Sequence, residues 1–94
     1  MDKHEDQIRR AEEASRVLNS PMFEAAFVDT RMALLNALAS LDNLTDPRAV
    51  DLHRMLKGLE KVRRCLEVHI DTGKLAAKEI EGRARLTDVF RKRA

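Results

Sequence analysis

Cys65 and His69 stand four residues apart, a spacing that puts a thiol and an imidazole on one face of a helix. Such a pair suits half of a zinc site, or a thiol activated for nucleophilic attack. Zinc needs a second pair of ligands, and the other two histidines, His4 and His53, are isolated from one another. A thiol in a helix interior has no neighbouring turn to supply an oxyanion hole, and no third member of a triad is in view. The carboxylates Glu12 and Glu13, and Glu79 with Glu81, read more simply as solvated helix faces than as acid–base pairs. There is no glycine-rich phosphate loop and no metalloprotease helix motif. No enzyme activity, metal or cofactor is expected.

Charge offers a different chemistry. Formal net charge is only +2, yet residues 83–94 hold Arg83, Arg85, Arg91, Lys92 and Arg93 against the single acid Asp88, so that stretch carries +4 and the rest −2. As a contact for nucleic-acid phosphates or for an acidic protein, those five cations would work beside a small apolar anchor of Leu86, Val89 and Phe90. Phe90 is the only ring in the cluster, so stacking of several bases is not available to it.

The elements that hold these residues follow from composition and capping. The 94 residues include no Trp or Tyr, three Phe, three Gly and two Pro, with 36% charged, which is the composition of amphipathic helices rather than of sheets. One all-α domain is expected, because so short a chain cannot divide its burial between two cores. A single cysteine excludes an internal disulfide and suits a reducing compartment. No apolar run approaches the ~20 residues that span a bilayer, and the opening MDKHEDQIRR is charged where a signal peptide would be apolar. A cytoplasmic location without membrane association is the expectation.

A first helix is predicted over about residues 2–18, charged and with a thin stripe of Ile8, Ala11, Ala14 and Leu18, docking weakly or reaching into solvent. Ser20 then caps a second helix that Pro21 opens, predicted to run to about residue 42. Its seam follows heptad spacing through Phe23, Phe27, Leu34, Ala37, Leu41 and Leu44, widened by Met32, Leu35 and Leu38. Thr45 or Asp46 caps a third helix opening at Pro47, with a connection of only residues 43–46, short enough to make the two helices antiparallel neighbours. The third helix carries Leu52, Leu56, Leu59, Leu66 and Ile70, with Met55 and Val62 beside them and the stem of Arg63 on the seam. It is predicted to continue through Gly73 to about residue 80, along Ala77 and Ile80, before a frayed basic tail over 81–94. Gly58, in its interior, suggests a close helix crossing. A rod from 47 to 80 would outreach the second helix and leave surface for a second chain.

The stretches LNSPMFEAAF (Leu18 to Phe27) and LKGLEKVRRCLEVHIDTGKLA (Leu56 to Ala76) resemble a family of small helical proteins of tailed bacteriophages and prophages, encoded in structural or packaging gene clusters. The resemblance rests on Pro21, Phe23 and Phe27 and on Thr72, Gly73, Lys74, Leu75 and Ala76. It implies a phage context and a helical hairpin, and carries over no catalytic or ligand residue.

The expected architecture is thus an all-α antiparallel hairpin, coiled-coil-like, with an added N-terminal helix and a basic tail. Phe27, Leu34, Leu38, Leu41, Leu52, Met55, Leu59, Val62 and Leu66 form its core seam and interface. The expected function is that of a homo-oligomer binding another phage or host protein during virion assembly or packaging, in the host cytoplasm or on the virion. Two alternatives are a nucleic-acid-binding accessory factor acting through the tail and a small inhibitor of a host defence enzyme.

Overall fold

The computed structural model describes residues 2–93 and, among these, the side chains of residues 2–91; the side chains of Lys92 and Arg93 lie outside the described part. Three helices and no strand are found among the described residues: α1 over Lys3–Leu18, α2 over Pro21–Ala39 and α3 over Pro47–Arg93. Contacts gather into two compact units, one of residues 1–16 with 66–94 and one of residues 17–65.

In the unit of residues 17–65, capping chemistry sets where helices begin. Ser20 is extended (φ −72°, ψ 123°), its hydroxyl accepts from the Phe23 amide at 3.4 Å, and Pro21 takes the first helical position. Asp46, rather than Thr45, caps α3: its carboxylate accepts from the Arg48 amide at 2.9 Å and its carbonyl from the Ala49 amide at 2.9 Å. α2 stops at Ala39, short of the expected residue 42. Ser40 ends it: its hydroxyl donates to the Ala37 carbonyl at 2.7 Å, and the next amide, that of Leu41, bonds the Leu38 carbonyl at 3.2 Å, a three-residue step in place of the helical four. Asn43 then closes a local turn, its side chain accepting from the Thr45 amide at 3.0 Å and its carbonyl from the Asp46 amide at 3.1 Å. The connection is therefore residues 40–46, longer than expected, and Leu44 falls in the turn rather than on the seam, 81% exposed.

Two ion pairs give the sense of packing here. Glu24 meets Arg63 at 4.0 Å, and Arg31 meets Glu60 at 3.7 Å. Position rises along α2 while its partner falls along α3, so the two segments run in opposite senses.

In the other unit α1 lies against the later part of α3, also in the opposite sense: the His4 imidazole Nε2 bonds the Glu79 carboxylate, while Ala11 and Gln7 face Gly73. The contact is made by small residues. Ala14 (4% exposed), Ala76 (2%) and Gly73 are buried, and Ile8, Ala11, Leu66 and Ile70 are half-buried. A Cβ built on Gly73 would overlap the Ala11 Cβ and stand 3.2 Å from the Gln7 carbonyl oxygen. The close crossing expected at Gly58 thus occurs at Gly73, and Gly58 has nothing within 4 Å of its would-be Cβ. α1 covers the stretch of α3 that was expected to be free for a second chain.

Ala76 is buried where Ala77 and Ile80 were expected, and both of those are exposed. A seven-residue step drifts by about 20° on a straight helix, so a stripe begun at Ile70 moves off the contact. α3 passes without a break through Gly73 and continues to Arg93 where fraying was expected from about residue 80. Ion pairs along the helices add local support, Asp6 with Arg10 at 3.1 Å and with Arg9 at 2.9 Å.

Candidate protein interface

Phe27 is the one large apolar side chain buried among the described residues; the other buried apolar ones are Ala14, Ala49 and Ala76. Its ring stands 6.2 Å from that of Phe23 and has the Arg63 guanidinium carbon 5.1 Å from its centroid. Arg63 was expected to pack its stem and send its charge to the rim. Its guanidinium lies over the aromatic face, with the Glu24 carboxylate beside it and the Arg63 side chain 39% exposed.

Leu34, Leu38, Leu41, Leu52 and Leu59 of the expected seam are half-buried in the same unit as Phe27, and Leu66 is half-buried in the other unit. Met55 and Val62 are more than half exposed, so they flank the seam rather than fill it. Met55, with Ala37, Leu41 and Leu52, lines a shallow groove between α2 and α3 that Arg48 and Asp51 border. Leu35 and Leu56 line another, bordered by Arg31, His53 and Glu60.

Beside Met32 and Leu35, which were expected to widen the seam, α2 exposes Pro21, Ala25, Val28 and Ala39 along the same stripe. Pro21, Ala25, Val28, Met32, Leu35 and Ala39 follow steps of four, three, four, three and four, and all are exposed. The spacing itself was the available signal: it is a second heptad stripe on a helix whose first stripe meets α3. Only Glu24, Asp29 and Arg31 are charged in the whole of α2, so the helix is apolar nearly all round, as helices with neighbours on several sides are.

Of the basic stretch, Arg83, Arg85 and Arg91 are exposed on helical backbone. Arg85 is bonded to Glu81 one turn back, which takes up part of its charge. Leu86, Val89 and Phe90 are exposed as well. Cys65 is an exposed free thiol and His69 is half-buried. Among the described residues no group of three or more His, Cys, Asp or Glu is placed to hold a metal ion. No described helix is long and apolar enough to cross a membrane.

At the connection, the Arg48 guanidinium is forked onto Asp46 at 2.7–3.2 Å. That side-chain bond, with the Arg48 amide, holds the Asp46 carboxyl below its ordinary value, and the same contact raises Arg48.

Comparison of the chain with protein-family models, with curated proteins and with solved structures found no match.

Proposed function

We propose that the chain is a non-enzymatic helical protein whose work is association: it self-associates as an antiparallel, coiled-coil-like hairpin and binds a further protein through its remaining apolar surface. One observation carries the reading. α2 is apolar on nearly every side, and beyond the stripe that packs on α3 its Val28 and Met32 remain about half exposed. Exposed apolar surface of that extent on a small chain marks an interaction site.

The resemblance of Leu18–Phe27 and Leu56–Ala76 to small phage helical proteins supports setting this association in virion assembly or packaging. Inhibition of a host defence enzyme would use the same surfaces, and copurification from host lysate separates the two by the identity of the partner. Association makes stability depend on protein concentration by mass action. The denaturation midpoint is therefore expected to rise as the chain is concentrated from micromolar to hundreds of micromolar, and a midpoint independent of concentration would overturn the reading.

A second reading has its own observation, the exposed arginines Arg83 and Arg91 on the helical end of α3. Contact of the five basic groups with duplex phosphates predicts a slope near −4.5 for log affinity against log salt, at about −0.9 for each group. Binding that is flat across salt would rule it out.

A further inference from the structure

The His4 ring, in the first turn of α1, is held between two carboxylates. Its side chain is only 14% exposed; Nε2 bonds the Glu79 carboxylate of α3, and Nδ1 stands 4.0 Å from the Asp2 carboxylate. An ionised carboxylate only accepts, so the bond to Glu79 places a proton on Nε2. In a neutral ring that proton is the only one. Nδ1 is then a bare acceptor, buried without a hydrogen-bond partner and facing the negative charge of Asp2. A second proton, on Nδ1, turns that repulsion into an ion pair and gives each ring nitrogen an N–H with a carboxylate near it.

Burial and the start of a helix both disfavour a cation, and the paired carboxylates oppose them. The remaining charges nearby are weaker influences. Asp6 is already held by Arg9 and Arg10, while Lys3 and Glu5 on α1 and Lys78 and Arg83 on α3 are exposed, where solvent screens them. The rest of the α1–α3 contact is made by small residues, with Ala14, Gly73 and Ala76 buried and Ala11 against Gly73. Little apolar area therefore holds the first turns of α1, and the His4 bond counts for more there than it would on a large core.

From this geometry we propose that His4 is a pH-sensitive latch: with both ring nitrogens protonated it bridges Asp2 and Glu79 and holds α1 on α3, and on losing the second proton it loosens α1 and uncovers the face of α3 around Gly73 and Ala76. The hold is complete below the ordinary imidazole value of about 6.5 and is lost as pH rises beyond it. Both carboxylates, with ordinary values of about 4, stay ionised through that range. Asp2, His4 and Glu79 all lie in the unit of residues 1–16 with 66–94, so the latch stands independently of the association proposed for α2.

The test is hydrogen exchange of the full chain at pH 5.5 and 7.5, corrected for the intrinsic rate at each pH. Amides of α1 are expected to be roughly 10-fold better protected at pH 5.5, relative to amides of α2 in the same samples, the factor that one favourable charge contact supplies. His4→Gln keeps a donor for Glu79 and cannot titrate, so it is expected to abolish the difference, with circular dichroism checking that helicity is retained. Asp2→Asn leaves the bond to Glu79 and removes the charge facing Nδ1, so it is expected to shrink the difference. His69 is half-buried in the same unit, and His69→Gln is expected to leave the difference intact. Equal protection of α1 at the two pH values would overturn the latch, as would a difference that survives His4→Gln or one that is indifferent to Asp2→Asn.

Discussion

The Arg63 guanidinium carbon stands 5.1 Å from the centroid of the Phe27 ring, so the one large buried apolar side chain among the described residues has a cation for a roof. Arg63 keeps its charge half in water and holds Glu24 at 4.0 Å, which lets a charged residue occupy a position on an apolar seam.

Phe27→Ala is expected to cost about 3–5 kcal/mol, the usual cost of removing a buried ring. Arg63→Met keeps the stem and removes the cation, at about 0.5–1 kcal/mol. In a double-mutant cycle of Phe27→Leu with Arg63→Met, a coupling of about that size is expected by urea denaturation. Additive losses would show that the stacking contributes nothing.

Gly58 and Gly73 lie in one helix and should answer oppositely to alanine. Gly58 faces open space, and Gly58→Ala is expected to raise stability by about 0.5–1 kcal/mol through helix propensity. Gly73→Ala drives its Cβ into Ala11 and is expected to lower stability by about 1–3 kcal/mol despite the same propensity gain. Combining Gly73→Ala with Ala11→Gly should recover most of the loss in a thermal melt. An unchanged melting temperature for Gly73→Ala alone would refute the tight α1–α3 contact.

These two glycines also mark the limit of what could be read in the sequence. Ser20–Pro21 and Asp46–Pro47 were legible as helix starts because capping is decided by neighbours in the chain. Phe27 was legible as a seam residue because a large ring at heptad spacing has few other places to go; that it alone among the large ones is buried was not. The α1–α3 contact was not, since Gly73, Ala76, Ala11 and Ala14 pack by being small and leave little hydrophobic signal. The bond from His4 to Glu79 joins residues 75 apart and has no local signature. The end of α2 was misplaced because Ser40 and Asn43 bond to the backbone beside them and compete with the helix.

The connection has a pH dependence of known sign. Asp46 is held below its ordinary value chiefly by the Arg48 side chain and then by the Arg48 amide, so it binds a proton less readily folded than unfolded. Its contribution to stability is complete above the unfolded carboxylate value of about 3.9 and is lost as pH falls through the lower folded value. Asp46→Asn keeps an oxygen to cap α3 and removes the titration. Its melting temperature is expected to be lower than wild type at pH 7 and to converge on it at pH 2. A constant gap at both pH values would contradict this role.

His4→Ala removes the imidazole that bonds Glu79 and whose Nδ1 is buried with no hydrogen-bond partner. Hydrogen exchange is expected to quicken in α1 and around Glu79, with amides of α2 unchanged. Uniform quickening along the whole chain would mean that the pair supports global rather than local stability.

The central claim is that the chain self-associates. Light scattering on the 10.7 kDa protein at tens of micromolar tests it most directly, and the account predicts a mass of at least twice that value, falling to one chain on dilution. A mass of one chain that persists to hundreds of micromolar would contradict it.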